Sequence, residues 1–117
     1  LSGSVGEVRE GDERLTVEVQ DGDPPTLALT GEVDPHTASV LEAALTAQIE
    51  GGATRVRIDA AGLAFIDSSG LRVLVDAHRR LGADPSVLVL ADVSPTFRRL
   101  LEVTGLDEHV TIESTTA

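Results

Sequence analysis

Hydrophobic residues in this chain follow two periods that take turns along the sequence. Leu15, Val17 and Val19 alternate with polar neighbours, Asp21-Gly22-Asp23-Pro24-Pro25 supplies a turn, and Leu27 and Leu29 resume the alternation. A β-hairpin is expected there. Gly31-Glu32-Val33-Asp34-Pro35-His36-Thr37 leaves the second strand, after which Val40, Leu41, Ala44, Leu45, Gln48 and Ile49 share one face of a helix. Asp34 followed by Pro35 reads as an N-cap with proline at the first helical position. Val56, Ile58 and Ala60 alternate again as a half-buried strand. Downstream, Leu71, Leu74, Val75, His78 and Leu81 recur at helical spacing. Ser86 to Leu90 reads as a buried strand, Ser94-Pro95 opens a third helix carrying Phe97, Leu100 and Leu101, and Val110 to Ile112 makes a short last strand. Gly51-Gly52, Gly82 and Gly105 stop the three helices, where a left-handed cap favours glycine.

The predicted order is β-β-α-β-α-β-α-β. Single strands separated by single helices imply parallel crossovers after the hairpin, so the fold class is α/β with one mixed sheet and helices packed on it. The uninterrupted run Val87-Leu88-Val89-Leu90 marks a central strand. Residues 1 to 13 read as a loose leader able to extend the first strand, 14 to 113 as one domain, and 114 to 117 as a tail. Ligands and partners of such sheets sit at the carboxyl ends of the strands, which is where Asp34 and Ser68 fall.

Composition narrows the chemistry. A chain of 117 residues with 41% hydrophobic content fits one domain, and its core must be aliphatic because Phe65 and Phe97 are its only aromatic residues. The formal charge is −11, with 11 acids against 2 arginines in residues 1 to 50 and 9 against 7 in the remainder. Such a field repels nucleic-acid backbones and anionic lipid, so neither is an expected direct partner. Every basic residue is Arg, which excludes a P-loop lysine, a Schiff-base lysine and a lysine general base. Without cysteine there is no disulfide, thiolate nucleophile or cysteine-type zinc site, a composition compatible with a reducing cytosol. No apolar run approaches the ~20 residues of a spanning helix, and no signal-peptide pattern is visible.

The segment Phe65-Ile66-Asp67-Ser68-Ser69-Gly70-Leu71-Arg72 concentrates the candidate chemistry. It brings an apolar approach through a Ser-Ser-Gly turn into a helix, placing two hydroxyls and a carboxylate where backbone N–H groups lack intrahelical partners. One account is that Ser68 or Ser69 simply caps the helix. A serine hydrolase would use Ser68 or Ser69 as nucleophile and His36 as base, but the Gly-x-Ser-x-Gly elbow is missing. A phosphoaspartate receiver would need an acid pair holding a metal and a cation on the phosphoryl oxygens; the dispersed Asp59, Asp67 and Asp92 read as turn residues. The remaining account makes the serine a substrate. A phosphoserine adds about −1.5 to −2 charges, enough to expel a partner packed on this loop without unfolding the domain.

Three blocks, Thr30-Gly31-Glu32-Val33-Asp34-Pro35-His36-Thr37-Ala38, Phe65 to Leu71, and Val93-Ser94-Pro95 with Arg98-Arg99-Leu100-Leu101 and Gly105-Leu106, together resemble the bacterial STAS-domain anti-sigma factor antagonists. The resemblance runs from about Leu15 to Ile112. It implies a cytoplasmic, non-enzymatic protein without a cofactor, monomeric or weakly dimeric. Unmodified, it would bind an anti-sigma factor that is also a serine kinase, releasing a sigma factor; phosphorylation would end binding and a serine phosphatase would restore it. By the same resemblance Ser68 is the phosphorylated residue, Ser69 supports the loop or caps the helix, and Asp34 contributes to kinase contact. The expected partner surface comprises Asp34, His36, Thr37, Asp67, Ser68, Ser69, Gly70, Leu71 and Arg72. Family members commonly add a helix after the last strand, whereas this chain stops at Ser114-Thr115-Thr116-Ala117, either as a trimmed piece or without that helix. STAS domains also serve as regulatory or scaffold modules of transporters, lipid-transport machines and stress-signalling complexes, which is the alternative reading.

Overall fold

The computed structural model describes residues 9–11 and 14–113. Expectations for the rest of the leader and for the tail 114–117 lie outside the described residues. In chain order the elements are β1 (Arg9–Gly11), β2 (Leu15–Gln20), β3 (Thr26–Val33), α1 (Ala38–Glu50), β4 (Val56–Ile66), α2 (Ser68–Arg80), β5 (Leu88–Ala91), α3 (Pro95–Thr104), a single 3-10 turn (Leu106–Glu108) and β6 (Thr111–Glu113). They build one sheet in sequential order β1-β2-β3-β4-β5-β6. β2 pairs antiparallel with both β1 and β3, and β3 to β6 are mutually parallel.

The expected hairpin is present: Val17 faces Leu29 and Val19 faces Leu27, so the alternating apolar residues of β2 and β3 reach the same buried face. β5 is buried at all four positions, as its uninterrupted apolar run requires. Ser94 caps α3 by accepting the Phe97 N–H at 3.0 Å, with Pro95 in its first turn, and Gly105 closes it at φ 79°. The core is aliphatic, with Leu15, Leu41, Ile58, Leu74, Leu88, Leu90 and Leu101 among its fully enclosed side chains.

Four readings change. Arg9–Gly11 is not loose leader but a strand on the outer edge of β2; three residues without apolar alternation carry no periodic signal, and pairing with an available sheet edge defines them. Asp34 and Pro35 do not begin the first helix. They open a turn, and α1 starts at Ala38 with Thr37 at its cap position. The strand expected at Ser86 begins at Leu88, because Asp84 Oδ1 accepts both the N–H and the hydroxyl of Ser86 (2.9 and 2.7 Å) and holds that residue in a turn. Finally, β4 continues past Ala60 to Ile66.

The last change positions the site. Against β3, β4 carries one extra residue between Asp59 and Gly62 and another between Leu63 and Phe65. Each bulge shifts the inward phase by one residue, so Ile58 and Ala60, then Leu63, then Ile66 point into the core. Phe65 is turned outward and is 49% exposed. Gly62 accommodates the first bulge, since a Cβ there would stand 2.9 Å from the Leu29 carbonyl oxygen.

Candidate functional site

The parallel pairing of β3 with β4 ends at Val33 opposite Ile66. The next residue of each chain is an aspartate, and the Asp67 N–H donates to the Val33 carbonyl at 3.2 Å. Adjacent parallel strands lie about 4.8 Å apart, so Asp34 to Thr37 and Asp67 to Arg72 form one continuous rim at the carboxyl end of the sheet.

On the β3 side, Asp34 organises the turn. Its Oδ1 accepts from the N–H of His36 (2.8 Å) and of Thr37 (3.0 Å), while Oδ2 receives the Arg14 guanidinium at 3.4 Å. Thr37 is fully buried: its hydroxyl donates to the Glu32 carbonyl at 2.8 Å and accepts the Asp34 N–H at 2.9 Å. Desolvation works to raise the Asp34 pKa, but the hydrogen bonds from Thr37 and His36 and the charge of Arg14 outweigh it, leaving the carboxyl below the ordinary range. Gly31 lets β2 close on this turn. With φ at 114°, it lies where a Cβ would be 2.0 Å from the Arg14 carbonyl oxygen, the same oxygen that accepts the Glu32 N–H at 2.7 Å.

On the β4 side, Asp67 rather than a serine caps α2. Its Oδ1 accepts the Ser69 N–H at 2.8 Å. Capping by either serine is therefore not the explanation of the Ser-Ser pair. Ser68 occupies the first helical position and is exposed, with Ser69 half-buried behind it. Gly70 is buried, and a Cβ on it would come within 2.6 Å of Ile66 Cγ1 and 2.7 Å of Val33 Cγ1. The glycine thus lets the first turn of α2 sit directly on the ends of β3 and β4.

Of the expected partner surface, His36, Ser68 and Arg72 are exposed, and Asp34, Asp67 and Ser69 are half-buried. Thr37, Gly70 and Leu71 are buried and serve to place the others. Phe65 joins the same rim as an exposed aromatic. Along the sequence it reads as part of the apolar approach, because nothing local reveals the bulges that turn it outward. His78 is buried and its Nε2 lies 3.1 Å from the Asp84 carbonyl oxygen, ten residues along α2 from Ser68, a separation of about 15 Å. Among the described residues, no group of three or more His, Asp or Glu side chains is placed to hold a metal, and no helix is long and apolar enough to cross a membrane.

Comparison with known proteins places this rim in context. The family profile described as "Mlab, STAS domain" matches residues 16–113. The anti-sigma-B factor antagonist of Listeria monocytogenes is 34% identical over 101 residues, covering 86% of this chain and 88% of that protein. Among solved structures, an anti-sigma factor antagonist from Mycobacterium paratuberculosis superposes with a TM-score of 0.78 at 28% identity, covering 92% of this chain and 91% of that one. SpoIIAA of Bacillus, solved unphosphorylated and phosphorylated, gives TM-scores of 0.71 and 0.63 at 25% identity, each over 85% of this chain and over 89% and 92% of its own. The chain belongs to the STAS-domain family of anti-sigma factor antagonists.

Proposed function

We propose that this protein is a cytoplasmic, non-catalytic antagonist that binds an anti-sigma factor with serine-kinase activity through the rim around Ser68, and that phosphorylation of Ser68 ends the binding. The observation that carries the reading is the placement of Ser68, exposed at the first position of α2 while Asp67 supplies the cap. Its hydroxyl is not needed to hold the helix, so it is free to be modified. The similarity to SpoIIAA, a protein solved in a phosphorylated form, supports control of this chain by phosphorylation.

A phosphoryl group at this position meets the positive end of the α2 dipole and has Arg72 one turn further along the same helix face. Both stabilise the dianion locally, so the domain keeps its fold. The partner meets a different surface. A group carrying about −1.5 to −2 charges replaces a neutral hydroxyl among Phe65, His36 and Asp34, and burying it in an interface formed for the hydroxyl costs both desolvation and like-charge repulsion. The intact rim, held by Thr37 and Gly70, makes this a switch of surface chemistry without rearrangement. A phosphatase resets it.

The test is affinity. Ser68→Asp should weaken partner binding at least tenfold, or ~1.4 kcal/mol, by isothermal titration calorimetry. Ser68→Ala should bind as the unmodified protein does and resist release by kinase and ATP. Equal affinities of wild type and Ser68→Asp would overturn the switch. Capture from the native host's lysate supplies the partner: a small ATP-binding kinase retained by wild type alone is the expected result.

A further inference from the structure

Beside the rim, between α2 and the segment Thr104 to His109, runs a groove of about 510 Å³. Its walls are aliphatic, built from Leu71, Val75 and Leu106, and its polar contributors include Arg72, Arg79 and His109. The composition of this lining is opposite to that of the molecule. The chain carries 20 acidic residues and a net charge of −11, yet among the described residues no carboxylate lines the groove, while two arginines and two histidines do. Neither phenylalanine of the chain contributes to it.

We propose that this groove binds a single-chain aliphatic carboxylate, with the acyl chain along Leu71, Val75 and Leu106 and the carboxylate at Arg79. Its volume falls within the range of small-ligand sites, ~300–1,000 Å³, which are mostly apolar with a few placed polar groups. Without phenylalanine, tyrosine or tryptophan the walls are aliphatic rather than a broad aromatic platform, which suits an unbranched chain. The charged lining selects an anionic head. Arg72 and Arg79 stand seven residues apart on α2, about 10 Å, so each presents a separate guanidinium fork. One such fork matches one carboxylate bidentately, and a single guanidinium balances its single charge. The site adjoins the Ser68 switch, since Ser68 and Arg72 both line it, but binding there needs no partner protein and no modification.

Decanoate is a suitable probe, titrated below its self-association concentration into the isotopically labelled protein and followed by amide chemical shifts. Saturable shifts should centre on Val75, His78, Leu106 and His109. Arg79→Glu and His109→Glu, both at exposed positions, should each weaken binding several-fold and together at least tenfold. Decylammonium, with the same chain and the opposite charge, should bind wild type at least tenfold more weakly than decanoate. Absence of saturable shifts, equal binding of the two head groups, or undiminished binding by the double variant would overturn the proposal. So would shifts at these amides on concentrating the protein alone, which would assign the groove to a second copy. Binding of an acidic aliphatic peptide in place of decanoate would assign it to a protein partner and likewise overturn it.

Discussion

Asp34 shows how one side chain can hold a functional surface without forming its chemistry. Four groups converge on its carboxylate: the N–H of His36, the N–H and the hydroxyl of Thr37, and the guanidinium of Arg14. Its pKa is lowered in the folded state because these interactions outweigh desolvation. The linkage has a definite sign: a depressed carboxyl contributes stability above its unfolded pKa, and that contribution is lost as pH falls through the folded value. The window therefore lies below pH ~4. Asp34→Asn keeps an oxygen acceptor but cannot titrate, so its stability should change less than that of wild type between pH 4 and 2. Urea denaturation at a series of pH values checks this; parallel curves would contradict it. Asp67 is the counterpart just after β4, and by taking the capping role it leaves the Ser68 hydroxyl outside the cap, as the proposed phosphorylation requires.

At the scale of elements, the site depends on how the start of α2 meets the ends of β3 and β4. Gly70 sets that distance, with Val33 and Ile66 where its Cβ would be. Gly70→Ala should lift the first turn of α2 and destabilise the fold by about 1–3 kcal/mol, the usual cost of overpacking a filled core. Thermal denaturation measures the loss, and amide shifts at Asp67 to Arg72 should report the displacement. An unchanged melting temperature would show that the helix start has room to yield. The two bulges in β4 act at the same scale. By shifting the inward phase twice they keep Leu63 and Ile66 in the core and turn Phe65 outward.

Across the whole molecule, stability resides in the aliphatic layer, which meets the rim at Val33, Ile66 and Leu71 and otherwise lies away from it. Leu90 is fully enclosed on β5, paired on both sides with β4 and β6. Leu90→Ala should cost about 2–5 kcal/mol through lost burial and an unfilled cavity, read from chemical denaturation. Partner affinity at temperatures where the variant remains folded should stay near that of wild type. A tenfold affinity loss in the folded variant would mean that the core and the rim are coupled. The acidic field of the molecule and the basic lining of the apolar groove between α2 and the 3-10 turn belong to this scale too. They are properties of assembled surfaces, invisible in any single element.

The alternation of Val17, Leu27, Leu29, Val56 and Ile58, the helical spacing of Leu41, Ala44, Leu71 and Leu74, and the caps at Ser94 and Gly105 were legible along the chain, because each is a local match between side chain and backbone period. They suffice for the element order from β2 to β6, the mixed sheet and the position of the Ser-Ser-Gly segment at a strand's end. Tertiary contact decided the rest. β1 exists by pairing with an edge, and the outward turn of Phe65 follows from two register shifts against β3. Gly31 answers to Arg14, 17 positions away, and Gly70 to Val33, 37 positions away. The groove is assembled from α2 and a segment more than twenty residues downstream. Periodicity encodes which face a residue presents within its own element; which neighbour that face meets is encoded only in the closed fold.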